Sequence, residues 1–337
     1  MKLKRILSLI MVTAMVLASV FAFTSCNNED AEPQIKVNPD KQEYVVGICQ
    51  LVQHDALDAA TQGFKDALTA ALAKEGRTVK FEEGNAQNDS TICTTIVNDF
   101  VNKDVDLILA NATAPLQSAY NATTTIPVLG TSITDYGSAL NINNWTGIAG
   151  GNVSGTTDLA PLDQQVEMIV ELYPNVKKVG LIYCSAEPNS EYQVTKVAEY
   201  LTAKGIAYEK FSFSDSNDVA ASSARAAASS DVLYVPTDNT AAAYTGSILG
   251  AIGNKPLIAG EEGICSGCGV ATLSIDYYDL GVTTGEMAAK ILLGQENISE
   301  MPVQSAAEFT KKYNKARCEE LGVDTAALEA KGYVAIQ

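Results

Sequence analysis

The sequence predicts an α/β protein of two similar lobes, each a parallel sheet flanked by helices. Short β-rich runs alternate with helical segments whose apolar residues recur every three or four positions. Such alternation is typical of a parallel sheet with helices on both faces. The same order of elements occurs twice in the chain. Roughly 295 residues follow residue 42, more than a single core usually accommodates.

The first half is predicted to alternate strictly between strands and helices. The predicted elements are a strand at 44–48, a helix from about 55 to 74, a strand at 78–82, a helix at 90–101, a strand at 105–110, a helix from Pro115 and a strand at 126–130. In the first of these helices Ala56, Ala60 and Phe64 share one face. This face is expected to pack on the sheet.

The second half repeats this order. Its predicted elements are a strand at 178–183, a helix at 189–204, a strand at 207–213, a helix at 218–229 and strands at 231–235 and 256–259. Corresponding landmarks are offset by about 125 to 133 residues, which indicates an internal repeat.

Two turns of similar composition follow corresponding strands, in VDLILANATAPLQSAY (105–120) and DVLYVPTDNTAAAY (231–244). Ligands of open parallel sheets bind beyond the carboxyl ends of the strands, where these turns lie. Thr113 ahead of Pro115, and Asp238 with Asn239, supply N-cap chemistry. Free N–H groups at a helix start can hold a carboxylate. Such residues also cap helices without any ligand, and the sequence leaves both interpretations open.

The N-terminal residues predict export. Residues 1–25 have the basic start and apolar run of a secretory signal. The following FTSC stretch resembles the lipobox of bacterial lipoproteins, in which Cys26 would take a lipid and anchor the chain to a membrane. A plain signal peptide or an uncleaved anchor stays open. Residues 26–42 are polar and lack an apolar period, which predicts a flexible tether.

The charge of the chain disfavours nucleic acid as a partner. The formal charge is −17, and it becomes −20 without residues 1–25, which hold three of the 23 Lys and Arg and none of the 40 Asp and Glu. Binding to phosphate backbones depends on Lys and Arg. No apolar run after the signal is long enough to cross a bilayer.

Six cysteines follow Cys26, and Cys265-Ser-Gly-Cys268 is their only close pair. A single CxxC is a weak metal signal without a second cysteine or histidine pair. A local disulfide, two idle thiols and redox chemistry stay open, whereas metal is disfavoured because His54 is the only histidine. No cofactor is expected.

A series of short motifs resembles one family, the substrate-binding lipoproteins of ABC importers of the tryptophan/tyrosine type. The motifs are Ile48 to Ala60, Asn85-Ala86-Gln87, Ala112 to Pro115, Thr131 to Asp135, Thr146-Gly147-Ile148, Glu187 to Ser190 and Pro236 to Asn239. The resemblance runs from about Tyr44 to Pro302. It implies a type I periplasmic-binding fold whose two lobes close over a small ligand, often an aromatic amino acid.

The resemblance also implies a hinge at which the chain crosses between the lobes three times. We expect the crossings near 152–158, 271–276 and 301–303, with the helix 280–293 returning to the first lobe. The predicted N-terminal lobe is 43–155 plus 275–301, and the C-terminal lobe is 156–274 plus 302–337.

Positions carried over by motif predict the residues that surround the ligand. They are Gln50, Thr113, Thr134, Asp135, Asp158, Glu187, Asn189, Ser190, Asp238, Asn239 and Asp276. An amino-acid zwitterion needs donors for its carboxylate and an acidic acceptor for its ammonium. Thr113 and Ser190 suit the carboxylate, and Asp276 or Asp238 suits the ammonium. Each of these residues can equally be an exposed cap or turn.

Aromatic side chains would provide stacking surfaces for such a ligand. The candidates are Tyr136, Trp145, Tyr183, Tyr192 and Tyr277. The chain departs from the family pattern at Tyr136-Gly137, where Pro commonly follows Thr-Asp, and at 261–269. Both departures bear on which ligand the protein binds.

An enzyme is disfavoured because none of the GxSxG, GxxxxGK or HExxH motifs is present. His54 is either a ligand contact or a solvent-side residue at a helix start. The resemblance implies an importer component that works with an ABC permease and ATPase, and we expect a monomer. A ligand-binding sensor uses the same closure, and a nucleoside or other small solute would also fit such a cleft.

Overall fold

Two largely parallel sheets with helices on their faces make up residues 34–336, the part of the chain that the computed structural model describes. The predicted signal, Cys26 and the tether up to residue 33 lie outside the described residues. Among residues 34–336 every helix is too short or too polar to cross a membrane. The predicted α/β class with two similar sheets is confirmed.

The first sheet has six strands in the order β11-β5-β4-β3-β1-β2. Its strands and the helices between them are β1 Glu43–Gln50, α1 Asp55–Lys74, β2 Thr78–Asn85, α2 Ser90–Asn102, β3 Leu107–Asn111, α3 Thr113–Ala122, β4 Val128–Ile133, α4 Tyr136–Ala139, β5 Val153–Thr157 and, late in the chain, β11 Gln304–Ser305. We call this sheet with its helices the first lobe.

The second sheet has seven strands in the order β13-β12-β10-β9-β8-β6-β7. Its elements are α5 Leu162–Leu172, β6 Lys178–Cys184, α6 Pro188–Ala203, β7 Ala207–Phe213, α7 Val219–Ser229, β8 Val232–Val235, α8 Asn239–Ala243, α9 Thr245–Ile252, β9 Leu257–Ala259, α10 Glu262–Cys268, β10 Ala271–Ser274, β12 Thr310–Tyr313, α12 Lys315–Leu321, α13 Thr325–Ala330 and β13 Val334–Ala335. We call this sheet with its helices the second lobe. Helix α11, Tyr277–Leu292, follows β10.

The strand register brings the predicted site residues of the first lobe to one edge of its sheet. Gln50 at the end of β1 pairs with Asn85 at the end of β2 and with Asn111 at the end of β3. Ile133 at the end of β4 pairs with Thr157 at the end of β5. The turns after these strands therefore lie side by side, as the parallel topology requires.

The start of α3 differs from the prediction. The helix begins at Thr113, and the residue before it is Ala112, with φ at 94°. Thr113 is thus the first helical residue, and the expectation that it caps the helix is wrong. The residue at the cap position has a non-helical conformation, and in this helix that residue is Ala112.

Glycines join α11 to α1 at close range. A Cβ on Gly63 would lie 2.1 Å from the Tyr278 carbonyl oxygen, and a Cβ on Gly281 would lie 2.1 Å from the Ala60 carbonyl oxygen. The two helices therefore meet backbone to backbone. The helix predicted at 280–293 lies at 277–292 in the structure and packs on α1 of the first lobe.

Residues 35–42 pack on the first lobe rather than extending from it. Ile35 and Val37 contact the apolar cluster beneath β1, and the Lys36 backbone N–H donates to the Thr125 carbonyl at 2.7 Å. Lys41 forms an ion pair with Asp106 at 2.6 Å. The part of the predicted tether that the structure describes is therefore held by the fold from Ile35 onward.

The third crossing follows β11. Gln304 and Ser305 pair with Thr156 and Thr157 of the first sheet, so the chain leaves that sheet after Ser305 instead of near 301–303. The next strand, β12, pairs with β10 in the second sheet.

Replacement of Gly281 by alanine tests the contact between α1 and α11. The added Cβ would clash with the Ala60 carbonyl, and we expect the free energy of unfolding to fall by about 1–3 kcal/mol. The matched control is Gly250→Ala in α9, where nothing lies within 4 Å of an added Cβ. It should be neutral or stabilise by up to about 1 kcal/mol. Chemical unfolding measures both, and equal effects would contradict the close packing.

Candidate ligand-binding cleft

A buried carboxylate lies where the chain first leaves the first lobe. Asp158 directly follows β5 and is 4% exposed. It accepts hydrogen bonds from the Tyr277 hydroxyl at 2.9 Å and the Thr134 hydroxyl at 3.2 Å. Burial raises the pKa of Asp158 to about 6, although both hydroxyls act in the other direction. Among the described residues no Lys, Arg or His forms an ion pair with this carboxylate.

Gln193 of α6 extends this network to the second lobe. Its Nε2 donates to the Thr237 carbonyl at 2.9 Å and lies 3.5 Å from the Thr134 hydroxyl. Its Oε1 accepts from the Thr237 backbone N–H at 3.1 Å. The amide therefore links the turn after β8 to the turn after β4.

The N-terminus of α3 follows β3, the strand that lies between β4 and β1 in the first sheet. Thr113 is 4% exposed. The backbone N–H groups of Thr113 and Ala114 have no acceptor within residues 34–336, and Pro115 has no N–H. Two donors of the first turn are thus free to bind an anion.

Glu187, which precedes α6, holds the start of α8. Its Oε2 accepts from the backbone N–H of Asn239 at 3.0 Å and from the Asn239 side-chain amide at 2.8 Å. Its Oε1 accepts from the backbone N–H and the hydroxyl of Thr240, at 2.8 and 2.7 Å. Asn189 also donates to Oε2, at 3.2 Å. The carboxylate is therefore used to position the loop that faces the first lobe.

Asp238 caps the same helix. Its Oδ1 accepts from the Ala241 N–H at 2.8 Å, and its Oδ2 accepts from the Cys184 N–H at 2.6 Å. Burial and the nearby Glu187 raise the pKa of Asp238 to about 8. The predicted N-cap role is confirmed. The backbone bonds make Asp238 a less suitable partner for a ligand ammonium than Asp158.

Two further contacts join the lobes on the outer side of the cleft. His54, just ahead of α1, lies with its Nε2 3.3 Å from Oδ1 of Asn239. Asn88 donates to the Thr240 hydroxyl at 2.8 Å. The Thr134–Gln193 contact lies at the end of the cleft near Asp158, and the contacts of His54 and Asn88 lie at the other end. The lobes are therefore joined at both ends of the cleft.

The remaining predicted site residues have other surroundings. Gln50 bonds within the first lobe, to Thr61 at 2.7 Å and Asp58 at 2.6 Å. Asp135 is half-buried and caps α4. Ser190 is fully buried and its hydroxyl accepts from Asn189 at 3.2 Å. Their predicted roles as ligand contacts stay predictions.

Asp276 directly precedes Tyr277. It is exposed, caps α11 by accepting from the Asp279 N–H at 3.1 Å, and borders a groove of about 310 Å³ between the lobes that Tyr277 also lines. The groove also contacts Asp55, Glu261 and Lys312. This exposed position makes Asp276 a poor candidate for binding the ammonium.

The aromatic candidates fall into two groups. Tyr136 is 1% exposed, stacks on Trp145 with ring centroids 6.0 Å apart and donates to the Thr156 carbonyl, so this pair belongs to the first lobe's core. Tyr183 is buried in the second lobe's core. Tyr192 is half-buried and Tyr277 binds Asp158. Only these last two remain candidates for the cleft.

The cysteines of the 261–269 segment are structural. Cys265 and Cys268 lie in α10 as buried free thiols, and burial raises the pKa of Cys268 to about 12. A thiol that stays protonated is a poor nucleophile and metal ligand. The same segment carries Glu261, which caps α10 and whose pKa burial raises to about 7.

Sequence reasoning missed Gln193, Thr237, Asn88 and Thr240 as cleft residues. Gln193 follows Asn189 by one helical turn, a spacing that places both on one face of α6. That spacing was a usable signal for Gln193. Asn88 gave none, because its contact depends on how the two lobes meet.

Comparison with known proteins identifies the class. The family described as "ABC transporter substrate binding protein" matches residues 45–328. A tyrosine-binding protein of Clostridioides difficile (strain R20291) is 36% identical over 313 residues, 91% of this chain and 89% of that protein. The chain therefore belongs to the family of ABC transporter substrate-binding proteins, and its fold is that of type I periplasmic-binding proteins. It is a binding protein rather than an enzyme.

Solved structures agree with this assignment. A Streptococcus pneumoniae ABC domain in complex with L-Trp is 32% identical, with a TM-score of 0.80 over 87% of this chain and 100% of that one. A ligand-free, open substrate-binding protein with adhesive properties from Clostridium difficile is 34% identical, with a TM-score of 0.67 over 87% of this chain and 100% of that one. The TM-score is higher for the L-Trp complex than for the ligand-free protein.

The buried carboxyls predict that acid stabilises the ligand-free protein. The folded-state pKa values of Asp158, Glu261 and Asp238 are raised to about 6, 7 and 8. A carboxyl whose pKa is higher in the folded than in the unfolded protein stabilises the fold at a pH below its unfolded-state pKa. This stabilisation is lost as the pH rises through the folded-state pKa. The melting temperature should therefore rise by several degrees from pH 8 to pH 5. His54 opposes this partly, because burial lowers its pKa.

Asp158→Asn should flatten this pH dependence, since it removes one of the three groups. Asp163→Asn, at an exposed carboxyl in the first turn of α5, serves as the control and should leave the profile unchanged. Calorimetric scans at half-unit pH steps measure both. A wild-type protein that melts at the same temperature throughout this range would contradict the burial of these carboxyls.

Proposed function

We propose that this substrate-binding protein captures an aromatic amino acid between its lobes and delivers it to an ABC permease and ATPase. The carrying observation is the buried Asp158 carboxylate, which within residues 34–336 has two hydroxyl donors and no cationic side chain as a partner. A buried charge is costly unless it is paired. A ligand ammonium beside Asp158 would supply the missing charge.

The ligand carboxylate would bind at the N-terminus of α3. The free N–H groups of Thr113 and Ala114 provide two donors, and the helix start favours negative charge. Asp158 and Thr113 follow β5 and β3, separated in the sheet only by β4. This spacing suits the two charged groups of one α-amino acid.

The other predicted contacts complete the proposed site. Thr134 and Tyr277 support Asp158, and Asn189 and Asn239 face the cleft from the second lobe. Gln50, Asp135, Glu187, Ser190 and Asp238 would act through the residues that they hold. Asp276 is the weakest member of the predicted set because of its exposed position.

Similarity supports an aromatic side chain. The curated relative is a tyrosine-binding protein, and the S. pneumoniae structure holds L-Trp. Both share about a third of their residues with this chain over most of its length.

Closure would move the lobes as two bodies. We propose a division into 43–155 with 275–301 and 156–274 with 302–337, although β11 at 304–305 belongs with the first sheet. We propose that the protein acts as a monomer outside the cytoplasm, as expected for its family, and is tethered to the membrane by a lipid on Cys26.

Ligand binding can be tested on the chain from Asn27 onward, after unfolding and refolding to remove carried-over ligand. We expect L-tyrosine or L-tryptophan to raise the melting temperature by several degrees, as a ligand at a hundredfold excess over its Kd adds about 2.7 kcal/mol. The panel contains the twenty amino acids and the common nucleosides. A shift with nucleosides only, or with nothing, would refute the aromatic-amino-acid assignment.

Asp158→Asn should weaken binding of the amino acid about 10- to 100-fold, because a hydrogen bond to a charged group contributes about 1.5–3 kcal/mol. The control ligand is 3-(4-hydroxyphenyl)propionate, which lacks the ammonium. It should lose little affinity in the variant. If both ligands weaken equally by calorimetry, Asp158 does not bind the ammonium.

Lipid attachment is tested by Cys26→Ser in the full-length chain. We expect the wild-type protein to incorporate labelled fatty acid and to partition into detergent, because the modified cysteine carries the acyl chains. The variant should do neither. Equal labelling of the two would exclude Cys26 as the attachment site.

A further inference from the structure

The hydrogen bonds around Asn239 fix the state of the His54 ring. Nδ2 of Asn239 donates to the Glu187 carboxylate at 2.8 Å, and a carboxylate can only accept. The amide oxygen of Asn239 must therefore point at His54, whose Nε2 lies 3.3 Å away. An oxygen acceptor at this distance requires Nε2 to carry the proton.

His54 consequently presents a bare acceptor at Nδ1. Burial lowers the pKa of His54, which favours the neutral ring. Nδ1 is buried and has no hydrogen-bond partner within residues 34–336. His54 precedes α1 at the cap position, yet its side chain makes no capping hydrogen bond. Helix capping thus does not account for this nitrogen, and a buried acceptor without a donor is costly.

The order of strands shows which part of a ligand would approach His54. Across the first sheet, β5, β4, β3, β1 and β2 are followed by Asp158, Thr134, Thr113, His54 and Asn88 respectively. A ligand with its ammonium near Asp158 and its carboxylate at the start of α3 would, if it continues along the same edge of the sheet, place its side chain toward β1. In that arrangement His54 lies on the side of the ligand's side chain.

We propose that Nδ1 of His54 accepts a hydrogen bond from a polar group on the ligand's aromatic ring, and that His54 thereby selects phenol or indole side chains over phenyl. This inference rests on the proposed function. A phenol O–H or an indole N–H supplies the donor that the buried nitrogen lacks. A phenyl ring would leave Nδ1 unpaired, and sites built to bond a polar group discriminate strongly against analogues without it.

The test compares ligands with and without this donor, in which the donor is either blocked by a methyl group or absent. Calorimetry on the refolded protein gives Kd for L-tyrosine against O-methyl-L-tyrosine and L-phenylalanine, and for L-tryptophan against 1-methyl-L-tryptophan. In the wild-type protein the member with the donor should bind at least about 10-fold more tightly. The quantity to compare is the ratio of the two Kd values within a pair. A general loss of lobe closure would weaken both ligands equally and would cancel in this ratio.

Two replacements of His54 separate its nitrogens. His54→Asn places an amide oxygen near the position of Nδ1 and should keep most of the ratio. His54→Gln places its amide near the position of Nε2 and should bring the ratio close to one. Asn88→Ala removes another interlobe bond and should weaken all ligands alike, leaving the ratio unchanged.

The outcomes distinguish the two proposals. If the wild-type protein binds no aromatic amino acid, the proposed function fails and this inference fails with it. If it binds phenylalanine as tightly as tyrosine and tryptophan, or if His54→Gln keeps the wild-type ratio, the role of His54 is refuted while the proposed function stands.

Discussion

The carboxylate of Glu187 is the interaction on which the geometry of the cleft depends. Its two oxygens accept from the backbone and side chains of Asn239 and Thr240, and from Asn189. Through Asn239 and Thr240 the second lobe reaches His54 and Asn88 of the first. Together with Asp238, which caps the same helix, this buried acid orders the helix start, and hydrogen bonds to a charged group are strong enough to do so.

The first lobe contributes the complementary part of the chemistry. Its strand ends present, in sequence across the sheet, a carboxylate, a set of hydroxyls, a helix start with free N–H groups and a neutral imidazole. The parallel topology aligns these groups because every strand ends at the same edge. The ligand is therefore expected to span groups from several separate stretches of sequence, each held by a strand end.

The sequence was sufficient to predict the lobes, because strand and helix periods are local properties. The helix 55–74 and the strand 207–213 were predicted to the residue. Asp238 was also predicted correctly as a cap, since capping depends on the next three residues. Thr113 was mistaken for a cap because the φ of Ala112 depends on its surroundings in the fold. Asp276 and Asp158 look alike in sequence, and only tertiary packing buries one and exposes the other.

The glycine contacts between α1 and α11 restrict how the lobes can move. Where two helices touch through their backbones, with Gly63 and Gly281 at the contact, no layer of side chains is available to slide and repack. Shear between these helices is therefore blocked, and α11 moves with the first lobe as one body. If the lobes move as proposed, the change of conformation would fall on the short connections, such as the one between Ser274 and Tyr277. Ligand capture would then be a rotation about a few backbone bonds that leaves both cores unchanged.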